Sequence, residues 1–158
     1  MSEKQILIFG AGYSGKAFAR ANPGAATIFG TTRSEEKFAA LRQAGIKPLL
    51  FDGALTGEIG KALEKATHLV ISVAPEEAGD PVLNAARAAI ARMPALEWIG
   101  YLSTVGVYGD YGGAWVNEKT TCRPVSKRSV MRVEAEQQWL KLGKDIGRPV
   151  AILRLSGI

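Results

Sequence analysis

The sequence predicts an α/β fold of the doubly wound type, with a parallel sheet in the order 3-2-1-4-5-6 and helices on both faces. Three observations carry this. Short apolar runs alternate with helical segments from one end of the chain to the other, which is the pattern of strands joined by right-handed helical crossovers. The first run, Ile6 to Phe9, passes directly into Gly10-Ala11-Gly12-Tyr13-Ser14-Gly15 and then into a helix-forming stretch from Lys16. The chain has 158 residues, 47% of them hydrophobic, which fills one domain core.

Each element can be justified in order. The first helix stops at Asn22-Pro23-Gly24. Ala26 to Gly30 reads as a second strand, followed by Thr31-Thr32-Arg33-Ser34, with Ser34 as the N-cap of a helix from Glu35 to Gln43. Ile46 to Phe51 is a third strand, and Pro48 suits an edge position because proline lacks a ladder donor. Asp52-Gly53 turns the chain into a short helix over Thr56 to Lys65. His68 to Val73 is an apolar fourth strand that ends at Ala74-Pro75. A helix from about Asp80 to Met93 carries Ala85, Ala86, Ala89 and Ile90 at helical spacing. Trp98 to Ser103 is a fifth strand. Thr104 to Val125, with four glycines and Pro124, reads as a long loop of the kind that is usually functional or mobile. Ser126 to Leu142 is a helix with Val130, Val133, Gln137 and Leu140 on one face, and Val150 to Leu155 is a sixth strand.

Composition narrows the function. The opening MSEKQ has no long apolar core and no cleavage-like pattern, and no apolar run approaches a membrane span, so a cytoplasmic domain is expected. The single Cys122 excludes an intrachain disulfide, and one histidine, His68, argues against a metal centre. The formal charge of +5 is mostly scattered. Lys119, Arg123, Lys127, Arg128 and Arg132 are the local exception, either a solvated helix end or a site for an anion. No motif of a nucleic-acid reader accompanies them.

The glycine turn is the chemical signal. A strand, a tight turn and a helix start present unpaired backbone N–H groups and the positive end of the helix dipole to an anion. Gly10 permits the turn, Gly12 lets a pyrophosphate approach the backbone, and Gly15 lets the helix lie close to the strand, as in the dinucleotide-binding (Rossmann) domain. Ligands in such sheets sit beyond the carboxyl ends of the strands, here after Phe9, after Gly30, and at Asp52, Val73 and Ser103. An NAD site would place a carboxylate after the second strand. This chain has Thr32-Arg33-Ser34 there, and a guanidinium flanked by hydroxyls suits a 2′-phosphate, so NADP is expected rather than NAD. Arg33 as an ordinary surface residue is the alternative.

From the fifth strand onward the residues resemble a known family. Ser103-Thr104-Val105-Gly106-Val107-Tyr108-Gly109-Asp110 is similar to the signature segment of extended short-chain dehydrogenases/reductases, the NAD-dependent epimerase/dehydratase group. The GAGYSG turn, Asp52-Gly53, Val73-Ala74-Pro75 and the closing RLSGI resemble it too, so the likeness spans the chain. It implies a hydroxyl at Thr104 that orients substrate and a nicotinamide beside Ser103 and Thr104. It also implies adenine near Asp52 and Gly53, and ribose contacts from Val73, Ala74 and Pro75. The family's YxxxK positions fall on Arg128 and Arg132, and no YxxxK occurs anywhere in the chain. Arginine stays protonated and cannot exchange a proton as tyrosine does. Arg128 can still bind an anionic substrate and Arg132 a ribose or phosphate; a surface helix with an Arg132–Glu136 pair is the alternative. The first glycine departs from the family's GxxGxxG as well, since Phe9 occupies it, so the resemblance is to an atypical member.

The resulting expectation is one NADP(H)-binding domain over residues 1–158, the N-terminal part of a longer protein whose substrate lobe lies outside this chain. The reading is an oxidoreductase or epimerase/dehydratase acting on a small molecule, anionic or a nucleotide sugar, with hydride transfer as its step. A non-catalytic NADP(H)-binding redox sensor is the alternative. A homodimer is left open, and neither nucleic acid nor membrane is expected as a partner. Tyr13, Tyr108 and Tyr111 are further phenols near glycines, and Trp115 and Trp139 are expected to pack.

Overall fold

A computed structural model describes residues 3–157. Six parallel strands form one sheet in the order β3-β2-β1-β4-β5-β6. The strands are β1 (Gln5–Phe9), β2 (Thr27–Thr32), β3 (Lys47–Leu50), β4 (His68–Ile71), β5 (Trp98–Thr104) and β6 (Val150–Leu155). The helices are α1 (Tyr13–Ala21), α2 (Phe38–Gln43), α3 (Gly57–Lys65), α4 (Pro81–Ala91) and α5 (Lys127–Ile146). No described helix is long and apolar enough to cross a membrane. Pro48 lies on the edge strand β3, as its missing N–H requires.

Alternation along the strands divides the core. Leu7 and Phe9 of β1 pack with Ile59 of α3, Val82 and Ile90 of α4, and Trp139 of α5. Ile8 packs on the other face with Ala19 of α1, Ile28, Leu41 of α2 and Ile46. Leu7, Ile8 and Phe9 are sealed from solvent, each burial stabilising the fold by about 1.5–3 kcal/mol. The α1/α2 face of this core reaches only as far as Val70 of β4. Beyond it Trp98 folds over Gly100, and Leu153 is exposed.

The boundaries differ from the sequence reading where tertiary bonds extend or interrupt an element. β2 runs on to Thr32 because Thr31 and Thr32 pair with Leu49 and Leu50 of β3. Ser34 does not cap a helix: it is extended, its side chain makes no cap bond, and the chain enters a 3-10 turn (Glu35–Lys37) before α2. The Thr104–Val125 segment is not all loop, since Val105–Tyr108 forms a 3-10 turn whose first N–H groups include one held by Thr104 Oγ1.

The buried face of α5 is also different. Ala135, Glu136, Trp139, Leu142 and Gly143 face the sheet, whereas Val130, Gln137 and Leu140 are exposed. Two tertiary facts override the apolar spacing. Gly143 lies so close to β6 that a Cβ would strike the Val150 side chain and Arg148 O. Glu136 is buried because an arginine on β6 neutralises it. Trp139 packs as expected, fully buried, while Trp115 is wholly exposed and packs on nothing.

Gly30 sets how near α1 lies to the sheet. A Cβ there would come within 2.6 Å of Ala11 Cβ and 2.7 Å of Ile46 Cγ2, both in packed backbone surroundings. At Gly15 the corresponding neighbours, Ala11 Cβ and Ile8 Cγ2, are at an ordinary 3.5 Å. Gly30→Ala is therefore expected to destabilise the domain by about 1–3 kcal/mol. Gly15→Ala should be neutral or gain up to about 1 kcal/mol of helix propensity. Urea denaturation of the two variants checks this, and equal midpoints would refute the difference.

Candidate functional site

The site grows from the turn between β1 and α1. Gly10 takes φ +80°, a left-handed conformation open to glycine, and a Cβ there would press on Val73 and its backbone. Its N–H donates to Thr31 Oγ1 at 2.8 Å, and Ala11 N–H donates to Thr31 O at 2.9 Å. The fully buried Thr31 thus ties the turn to β2. Lys16 is the first residue of α1 whose N–H returns to the helix start, at Gly12 O. The amides of Tyr13, Ser14 and Gly15 are left without intrahelical acceptors, and no side chain caps them. At Gly12 a Cβ would meet nothing nearer than Gly10 O at 4.0 Å, so the backbone is open to a ligand. The residues fit an anionic group laid across this helix start.

A cleft of about 670 Å³ opens over that turn. Of the residues singled out from the sequence, it gathers Gly10, Gly12 and Tyr13 at the turn, and Thr32 and Arg33 after β2. Asp52 and Gly53 line it past β3, and Val73 and Ala74 past β4. These are the carboxyl ends of the four central and edge strands. Ser14, Gly15, Ser34 and Pro75 do not line the cleft, and neither do Ser103, Thr104, Arg128 or Arg132. Sequence reasoning missed Lys16, Lys37, Ala40, Leu41 and Glu76, which do line it. Lys16 could have been found from its position one helical turn past Gly12; the others come from how α2 and the segment after β4 fold over.

The end of β5 holds a second constellation. Ser103 Oγ donates to Glu136 Oε1 at 2.5 Å, and Arg154 grips both Glu136 oxygens at 3.1 and 2.8 Å. Arg154 Nη1 also donates to the Tyr108 hydroxyl at 3.0 Å, with its guanidinium over the Tyr108 ring. The Glu136 bonds hold the Arg154 guanidinium charged well above its usual range against the opposing effect of burial. Glu136 is thus taken by Arg154, not by Arg132. Arg132 instead donates to Leu102 O at 3.1 Å and to the Tyr101 hydroxyl at 3.4 Å. Arg128 is exposed, and Thr104 spends its oxygen as an acceptor for Gly106 N–H at 3.2 Å. Tyr111 donates its hydroxyl to Thr121 O. Asp80 joins the two helices behind the site: one oxygen caps α4 at Val82 and Leu83, and the other accepts from Trp139 Nε1 at 2.9 Å. Lys127 at the start of α5 pairs with Glu77 in the segment after β4, an exposed bridge.

This turn and strand order define a doubly wound α/β domain with a Rossmann-like fold. A conserved protein of unknown function from Silicibacter pomeroyi DSS shares the fold with TM-score 0.86 and 42% identity, over 98% of this chain and 53% of that one. UDP-glucuronic acid 4-epimerase from Bacillus cereus, solved with UDP-glucuronic acid and NAD, matches with TM-score 0.76 and 21% identity, over 95% of this chain and 55% of the enzyme. dTDP-glucose 4,6-dehydratase from Bacillus anthracis, solved with NAD, matches with TM-score 0.76 and 19% identity, over 98% and 55%. The chain spans about half the length of each of these proteins. No family model and no curated protein matches it.

Two outcomes follow from the β5 constellation. Glu136→Ala removes the acceptor for a largely buried guanidinium and is expected to cost about 3 kcal/mol in urea denaturation. A loss below about 1 kcal/mol would mean the pair behaves as a surface bridge. The Tyr101 phenol, stacked on Trp139, is pushed up to about 12 by burial, partly offset by the Arg132 charge. The unfolded chain then loses this proton near pH 10 while the folded one keeps it, so the contribution is intact below pH 10 and fades as pH rises from about 10 to about 12. Ultraviolet phenolate absorbance with and without Tyr101→Phe measures this, and titration of that residue near pH 10 in the folded state would refute it.

Proposed function

We propose that this chain is the cofactor-binding domain of an NADP(H)-dependent oxidoreductase of the epimerase, dehydratase or reductase kind. The observation that carries it is the uncapped start of α1 under a cleft into which Gly12 puts open backbone. The fold likeness to enzymes solved with NAD supports the same ligand class. The amides of Tyr13, Ser14 and Gly15 would hold the diphosphate, with the α1 dipole favouring its charge. Asp52 and Gly53 would border the adenine, and Val73 and Ala74 the adenosine ribose. Thr32 and Arg33, with no carboxylate beside them, favour NADP over NAD. The bound nicotinamide would supply hydride transfer; the chain's part is to hold and orient it.

A specific observation favours a second reading, a non-catalytic NADP(H) sensor. Arg132, at the position of the family's catalytic lysine, is spent on Leu102 O, and no YxxxK exists to move a proton. An enzyme of this kind would act on a carbonyl or sugar-nucleotide substrate, with Thr104 orienting it and Arg128 meeting an anionic group.

Titration with both cofactors tests the first step: NADP should bind about tenfold or more tightly than NAD, and Arg33→Ala should erase the difference. Equal affinities, unmoved by Arg33→Ala, would refute the NADP assignment. NADPH oxidation across carbonyl and sugar-nucleotide substrates then separates the two readings, tight binding with no oxidation favouring the sensor.

A further inference from the structure

The cleft serves one side of the glycine turn and stops short on the other. From the turn it extends past β2 and β3, to Arg33 and Asp52. In the opposite direction it ends at Glu76 and Pro81 in the segment after β4, and among the described residues none of β5 or α5 lines it. The strand order reverses between β1 and β4, so a dinucleotide centred on the turn lays one nucleoside over β2 and β3 and the other over β4 and β5. The second nucleoside therefore has to pass beyond the segment after β4.

Two arms flank that passage. The first is a tight turn in which Glu76 N–H donates to Gly79 O at 3.0 Å and Gly79 N–H donates to Glu76 O at 2.9 Å. Asn84 Nδ2 of α4 holds it by donating to Ala78 O at 2.8 Å. The second arm is the start of α5, where Ser126 Oγ caps the helix by accepting from Ser129 N–H at 3.1 Å. It stands against the 3-10 turn after β5, since a Cβ on Gly106 would come within 3.1 Å of Ser129 Oγ. Glu77 on the first arm pairs with Lys127 on the second. Both side chains are exposed, so this pair opens at the small cost of a surface bridge, whereas Arg154–Glu136 is enclosed and fixed.

We propose that Glu77 and Lys127 form a latch across the passage from the cofactor cleft to the end of β5, opening to admit the nicotinamide half of the cofactor and re-forming once it is in place. This rests on the dinucleotide reading above. The backbone of each arm is bonded in place, so rotation of the two side chains is enough to open it. A pair closed in both the free and the bound protein cancels from the affinity, so the latch acts on the rates of entry and exit.

Stopped-flow fluorescence of the full chain with NADPH, NADH and mant-labelled ADP tests the latch in Glu77→Gln, in Lys127→Gln and in the double exchange Glu77→Lys with Lys127→Glu. For the dinucleotide that binds, association and dissociation should each quicken about two- to fivefold in either single variant, while Kd moves less than about twofold. ADP fills the cleft without crossing to β5, so its rates should hold; it also registers any effect of net charge alone. The double exchange restores the pair and should return the dinucleotide rates to those of the unaltered chain. If neither NADPH nor NADH binds, the dinucleotide reading falls and the latch with it. If one binds but the single variants leave its rates alone, or shift ADP equally, the latch alone falls. A double exchange that fails to restore the rates would assign the effects to each residue singly and also overturn the latch.

Discussion

Everything at the cleft depends on how closely the β1–α1 turn approaches β2. Gly30 has no Cβ because Ala11 and Ile46 occupy the space one would need, and the buried Thr31 hydroxyl holds Gly10 N–H from the adjacent position. With those contacts in place, α1 starts uncapped beside the open backbone of Gly12. A bulkier residue at Gly30 would push α1 away and lose the turn geometry together with the packing.

The other half of the sheet is held by buried polar groups as well as by the close approach of α5 to β6 at Gly143. Asp80 links the start of α4 to Trp139 in α5, and Glu136 links α5 to β5 and β6 through Ser103 and Arg154. These groups are stable where they are because each buried oxygen has a donor. They also fix the β5 end, where Ser103, Thr104 and Tyr108 sit. Ser103 and Tyr108 are turned into this network, and Arg132 is turned onto Leu102 O.

Charge is distributed to match. Cations stand on the α1 and β2 side of the cleft and acids on the β3 and β4 side. The solved likenesses establish the fold at under 25% identity, and a closer likeness at 42% covers only half of its own chain, so the chemistry rests on these residues rather than on analogy.

The sequence by itself determined the succession of strands and helices, the edge position of β3 and the glycine turn, because each is written in local features: alternating apolar runs, a proline, and glycines at fixed offsets; the strand order followed from the doubly wound fold type that the glycine turn indicates. It also determined that Gly10, Gly12, Arg33, Asp52 and Val73 stand at strand ends. Only the tertiary structure decided which face of α5 is buried, since the partner of Glu136 is Arg154, 18 residues away, and Gly143 matters only once β6 lies against it. Only it brought Lys37, Ala40 and Leu41 to the cleft, because the 3-10 turn and short α2 lie beside the strand ends and no local pattern encodes that placement.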